Sequence, residues 1–221
     1  MISLTVDSLN SIEEMKMSFS VKFNLAAEWF DKHLTWENLD DDKYLNIPSK
    51  EVVDKLWVPT IIFKNTENNY ESTIDEKAII LVQKQGIRSL STIHEMEEIA
   101  YYNGSENPIL YSRDFYLRFQ CHFELQDYPF DTQICTILMK KPGKVDNFVE
   151  LLPKQLKYTG PQEIAEFIIL KLDMIKSPSS QDSDIEVKIV LKRRVSQHLL
   201  STYIPSACIL CIAQVLSRKM H

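Results

Sequence analysis

A chain of 221 residues, 44% of them hydrophobic and only four of them glycine, has the composition of a folded globule and the length of one large domain or one domain with a tail. A formal charge of -6 argues against a nucleic-acid partner, because phosphate binding requires a basic face. No Gly-rich phosphate loop, nucleophile motif or convergent acid–base pair gives an enzyme anything to rest on, and no cofactor is expected.

In chain order, Met1-Ile-Ser-Leu-Thr-Val-Asp shows no signal peptide and runs into strand-like sequence, although the extreme N-terminus is also compatible with a helix. From Met17 to Leu25 the odd positions Met17, Phe19, Val21, Phe23 and Leu25 are apolar and the even positions polar, the period of a strand with one face in a core. Ser49 to Leu56 reads as a helix. Ile79–Val82, Tyr111–Phe119, Ile134–Met139, Phe167–Met174 and residues 185–192 read as further strands. Polar turns separate them, at Asn103-Gly104-Ser105, Pro142-Gly143, Thr159-Gly160-Pro161 and Ser177-Pro178. Many short strands with polar connections predict an all-β, antiparallel, immunoglobulin-like β-sandwich.

The character changes at Arg193-Arg194. Residues 199–216 hold no charged side chain over eighteen positions, which is the lower edge of a membrane-spanning helix; a buried helix of a soluble protein fits the same run. The expected division is therefore a sandwich domain over 1–194 and the start of a membrane domain over 195–221. Cys208 and Cys211, inside this apolar run, read better as small buried hydrophobes than as a redox pair.

Cys121 and Cys135 flank a polar segment, Cys121-His-Phe-Glu-Leu-Gln-Asp-Tyr-Pro-Phe-Asp-Thr-Gln-Ile-Cys135, centred on a turn at Tyr128-Pro129-Phe130-Asp131. They suit an oxidising compartment. A bridge closing a loop of this length removes roughly 3 kcal/mol of unfolded-chain entropy. Asn103-Gly-Ser105 is an N-glycosylation acceptor sequence in a turn. His94, Glu95, Glu97 and Glu98 can bind a cation but read more simply as an exposed acidic turn; His33, His122 and His198 have no metal-ligand spacing, and no metal site is expected.

Thirteen residues between the cysteines around a Tyr-Pro-Phe-Asp centre resemble the signature loop of the Cys-loop receptors, the pentameric neurotransmitter-gated ion channels. Trp29-Phe-Asp-Lys-His-Leu-Thr-Trp36, Leu56-Trp-Val-Pro59 followed by Phe63-Lys-Asn65, and Lys192-Arg-Arg194 running into Leu199–Ser206 resemble other segments of that family in the same order. The bridged loop and the junction are most similar to invertebrate subunits of the GABA/glycine/glutamate-gated anion-channel branch. The resemblance implies a subunit fragment of an extracellular ligand-gated channel in the plasma membrane, with its N-terminal domain outside, other subunits as partners in a homo- or hetero-pentamer, and a small-molecule ligand. A chain without a second membrane segment is expected not to conduct by itself, and its N-terminus is expected to be incomplete. A non-conducting soluble or membrane-tethered binding protein of the same fold is the alternative.

The resemblance also implies roles. The loop Cys121–Cys135 passes ligand-induced motion to the pore; Tyr128, Pro129 and Phe130 supply its apolar contact surface, and Asp131 pairs with Arg193 or Arg194, or else simply caps its turn. One ligand face falls at Ile62, Phe63 and Lys64 and at Lys140 and Pro142; Pro142 stands where the family usually offers Tyr, Phe or Trp, and the third loop of that face, between Met174 and Ile185, has no aromatic residue. Lys64, Lys140 and Lys141 there would repel a primary ammonium group, or are simply solvated. The other face falls at Lys22 and Asn24 and at Tyr116 and Arg118. Arg118 can hold a ligand carboxylate or form an interfacial salt bridge.

Overall fold

The computed structural model of the protein describes residues 1–66, 77–87, 99–143, 149–164, 166–176 and 185–219. His94, Glu95, Glu97 and Glu98, and most of the loop between Met174 and Ile185, lie outside the described residues. Two sheets form the sandwich. The larger has the strand order β5 (Ile79–Val82), β7 (Ile109–Gln120), β2 (Ser18–Trp29), β1 (Ile2–Glu13), β9 (Pro153–Tyr158); the smaller has the order β10 (Phe167–Lys176), β11 (Ile185–Arg193), β8 (Thr132–Lys140), β4 (Ile62–Phe63). A separate ribbon pairs β3 (Thr35–Glu37) with β6 (Tyr101–Asn103). Pairings are antiparallel except β1 with β9, which run parallel.

The N-terminus is a twelve-residue strand, not a helix. Ile2, Leu4 and Val6 point inward with at most 2% exposure, and Ser3, Thr5 and Asp7 alternate with them, so β1 follows the same period-two rule as β2. The Ser49–Leu56 helix is shorter than expected, reduced to α1 (Lys50–Val53).

β2 and β7 pair over their full lengths, with Phe19 opposite Phe119 and Phe23 opposite Phe115. Their inward odd positions meet Phe63 of β4. The Phe63 ring centroid lies 5.5 Å from Phe23, 5.5 Å from Phe115 and 6.0 Å from Phe119, all edge-on. Ile137, Met139, Val187, Ile189 and Leu191 close the core from the smaller sheet. Just beyond Phe63, Asn65 ties the sheets together: its Nδ2 donates to the Thr136 carbonyl of β8 at 2.7 Å and to the Gln120 carbonyl of β7 at 3.2 Å, and its Oδ1 accepts from the Leu138 N–H at 3.0 Å.

After Arg193 the chain turns helical in three pieces: α2 (Val195–His198), a π-helical turn (Leu199–Tyr203) and α3 (Ile204–Lys219). Pro205 falls in the first turn of α3, where its missing N–H is tolerated. α3 has sixteen residues, about 24 Å at 1.5 Å each, short of a hydrocarbon core of about 30 Å. Among the described residues no helix is long and apolar enough to cross a membrane. The eighteen residues expected as one span, 199–216, begin in the π turn and continue directly into α3.

Phe63→Ala should cost about 3–5 kcal/mol of unfolding free energy, because a fully buried ring at the meeting of both sheets leaves a cavity. Urea unfolding of the variant measures it; a loss below about 1 kcal/mol would contradict a core role.

Candidate functional site

The alternation of β11 decides which arginine enters the core. Ile185, Val187, Ile189 and Leu191 face inward, so Arg193 is the next inward position and Arg194 faces out. The Arg193 side chain is 0% exposed. Its Nε donates to Asp131 Oδ1 at 2.6 Å and its Nη2 to Asp131 Oδ2 at 2.9 Å, the two-pronged geometry of a guanidinium on a carboxylate. A second carboxylate, Glu14, also pairs with Nη2. The guanidinium lies over two rings, 4.7 Å from the Tyr128 centroid and 4.6 Å from that of Phe167.

The four partners come from three separate parts of the chain. Cys121 and Cys135 are bridged, with Cα atoms 5.1 Å apart, which fixes the loop carrying Tyr128 and Asp131. Within the loop, Gln133 acts as a brace. Its Oε1 accepts from the Glu124 N–H at 2.9 Å, and its Nε2 donates to the Glu124 carbonyl at 2.7 Å and to Asp131 Oδ2 at 2.5 Å. Glu14 sits in the tight Glu14–Lys16 turn between β1 and β2, which closes through Met17 in the left-handed conformation (φ 48°). Phe167 opens β10. Arg194 takes a different partner: its Nη1 is 3.5 Å from Glu163, and its backbone N–H donates to the Glu166 carbonyl at 2.8 Å.

Burial pushes the Asp131 carboxyl up, but the hydrogen bonds from Arg193 and Gln133 outweigh it and hold its pKa below the ordinary aspartate value. Burial likewise works against the Arg193 charge, and Asp131 and Glu14 more than restore it.

The apolar surface of the loop differs from expectation. Pro129, joined to Tyr128 by a cis peptide bond, is buried, while Phe130 (69% exposed), Leu125 and Tyr128 face outward. Pro129 therefore belongs to the interior of the turn.

The candidate ligand residues divide between the sheets. Lys22 lies directly across from Tyr116, Ser20 from Arg118 and Asn24 from Asp114, all on the outer face of the larger sheet. Asn24 Nδ2 donates to Asp114 Oδ1 at 2.8 Å and to Ser112 Oγ at 3.0 Å. Arg118 Nη2 donates to Glu13 Oε1 at 2.6 Å, and Glu13 also pairs with Lys16 at 2.5 Å. On the smaller sheet, Ile62 pairs with Lys140 at the β4–β8 edge; Lys64 is exposed and Pro142 half-buried. Phe63 lies in the core and presents no surface to a ligand. Lys141 is buried too, donating to the Val149 carbonyl at 3.0 Å. The two groups occupy different sheets of one chain, with the core between them. Among the described residues no cluster of His, Cys, Asp and Glu can hold a metal ion.

A family model described as "Neurotransmitter-gated ion-channel ligand binding domain" matches residues 1–195. The chain belongs to that family. Among its relatives are a glutamate-gated chloride channel of Drosophila melanogaster, 26% identical over 97% of this chain and 44% of that protein, and a glutamate-gated chloride channel subunit beta of Haemonchus contortus, 22% identical over 97% of this chain and 48% of that protein. The chain spans about half the length of these relatives. Family membership accounts for the sandwich and the bridged loop; the arginine cluster is read from the geometry.

Asp131→Asn should cost about 3–5 kcal/mol by leaving a buried guanidinium short of one counter-charge. Because the folded pKa of Asp131 lies below its ordinary 3.8, the stability it supplies is fully present above that value and is lost as pH falls through the folded value. Acid titrations of wild type and variant should therefore begin to approach each other below the ordinary value and converge only below the folded one. A constant gap between them down to the acid limit would show that the Asp131 charge is not the source.

Proposed function

We propose that the chain is the ligand-sensing and coupling part of a subunit of an extracellular ligand-gated ion channel, in which residues 1–194 form the outer domain and 195–221 open the membrane portion. The observation that carries this reading is the cluster around Arg193. One buried cation holds together the disulfide loop, the β1–β2 turn and the strand that continues into the helices. Movement of the strands is transmitted to the C-terminal helices through these contacts, because a buried ion cluster cannot lose one partner without a large penalty. Tyr128, Phe130 and Leu125 give the loop an apolar face for the membrane portion to press against.

The ligand binds between two subunits. Lys22, Asn24, Tyr116 and Arg118 of one meet Ile62, Lys64, Lys140 and Pro142 of the next, an arrangement supported by their location on separate sheets. Lysines and an arginine around this interface favour a carboxylate, and the relatives' names make glutamate the first ligand to test and chloride the first ion. Arg118 is held by Glu13 through Nη2 only among the described residues, which leaves the rest of its guanidinium for a ligand.

Residues 1–194 joined to the membrane portion of the Drosophila channel should give glutamate-evoked chloride current. Arg118→Ala should raise the half-maximal concentration by about tenfold or more, the size expected for truncating one member of a charge pair. A chimera that reaches the cell surface as a pentamer and stays silent to glutamate would overturn the ligand. One that binds glutamate without current would favour the non-conducting reading.

A further inference from the structure

We propose that Asn103 carries an N-linked glycan, at the pole of the sandwich remote from the disulfide loop. Asn103-Gly104-Ser105 is the single Asn-x-Ser/Thr acceptor in the sequence, and both Asn103 and Ser105 are exposed. The surrounding turn is fixed and leaves the acceptor atom free. Asn103 Oδ1 accepts from the Ser105 N–H at 2.9 Å, while among the described residues no hydrogen bond engages its Nδ2, the atom a glycan is built on. The Asn103 carbonyl accepts from the Glu106 N–H at 3.1 Å, the Asn107 N–H at 3.2 Å and Asn107 Nδ2 at 2.8 Å. Asn107 is itself 0% exposed, so the turn is anchored from beneath. Gly104 donates its N–H to the Leu34 carbonyl at 2.9 Å, and a Cβ there would lie 2.3 Å from the Asp31 carbonyl oxygen, so only glycine allows this approach.

Two further features bear on whether the acceptor meets the glycosylation machinery. The Cys121–Cys135 bridge requires an oxidising compartment, the same luminal route in which Asn-x-Ser acceptors are modified. Position along the fold supplies the second. Asn103 bonds to Asn107 just before β7 begins at Ile109, and β7 then runs twelve residues to the disulfide end, about 36 Å away. The helices begin after Arg193, at that same disulfide end. The glycan therefore stands clear of any surface the helices enter, and it keeps the β3–β6 ribbon solvent-facing, leaving the outer face with Lys22 and Arg118 open for subunit contact.

The proposal rests on the outward-facing placement of the sandwich, and one experiment separates the two. Wild type, Ser105→Ala, Ser105→Thr and Asn103→Gln are expressed in insect cells and run on denaturing gels before and after peptide-N-glycosidase, with thiol labelling mapped to Cys121 and Cys135 in parallel. Wild type and Ser105→Thr should run slower until treated and then match the two acceptor-less variants, with heavy oxygen from labelled water incorporated at residue 103. If untreated wild type co-migrates with Ser105→Ala while Cys121 and Cys135 resist labelling, the glycan is overturned and the outward placement stands. Co-migration with both cysteines labelled overturns both.

Discussion

One cation without access to water decides how the lower end of this domain is built. Arg193 is costly to bury, and it is tolerated because two carboxylates and two aromatic rings converge on it from three parts of the chain. Each neighbour depends on a device elsewhere. The disulfide and Gln133 hold Asp131 in place, the left-handed Met17 closes the turn that presents Glu14, and the strand alternation of β11 turns Arg193 rather than Arg194 inward. The cluster thus converts four local features into a single junction, and it lies immediately before the helices.

The interior between the two sheets follows a different logic. Its core is a run of phenylalanines in which Phe63 of the short strand β4 reaches across to Phe23, Phe115 and Phe119, and Asn65 joins both sheets beside it. The segment containing Phe63 therefore works as a rivet between sheets. Its neighbours, the half-buried Ile62 and the exposed Lys64, remain at the edge of the smaller sheet, separated by the core from Lys22, Tyr116 and Arg118. A ligand that touches both groups must bind where two copies of the domain meet, which is why the proposed site is assigned to a subunit interface.

Much of this was legible from residue order. Strict alternation in β2, β7 and β11 was visible because each buries one face against apolar neighbours, and the same alternation distinguishes Arg193 from Arg194 when carried two residues past Leu191. The N-terminal strand was harder. Ile2, Leu4 and Val6 alternate over only a short run before the pairing shifts between Val6 and Ser8 and again between Asn10 and Glu13, which breaks the period. β9 was missed because Pro153-Lys-Gln-Leu-Lys-Tyr158 has few apolar positions and takes its place by pairing with β1, far away in sequence. Glu14, Phe167 and Glu13 carry no local signal at all; the two glutamates acquire their roles from arginines more than a hundred residues away, and Phe167 from an arginine on the neighbouring strand. The buried Pro129 and Lys141 show the same limit, since whether a turn residue points in or out is set by the packing beneath it.

The most direct test of this account is a double-mutant cycle between Asp131 and Arg193 in the chimera, read on channel current. Asp131→Asn, Arg193→Gln and the pair are each compared for ligand concentration–response and for ligand affinity. The account predicts strongly non-additive effects on current, at least about 1 kcal/mol of coupling, with little change in affinity. Additive effects, or effects confined to ligand affinity, would contradict a junction that transmits motion through the Arg193 cluster.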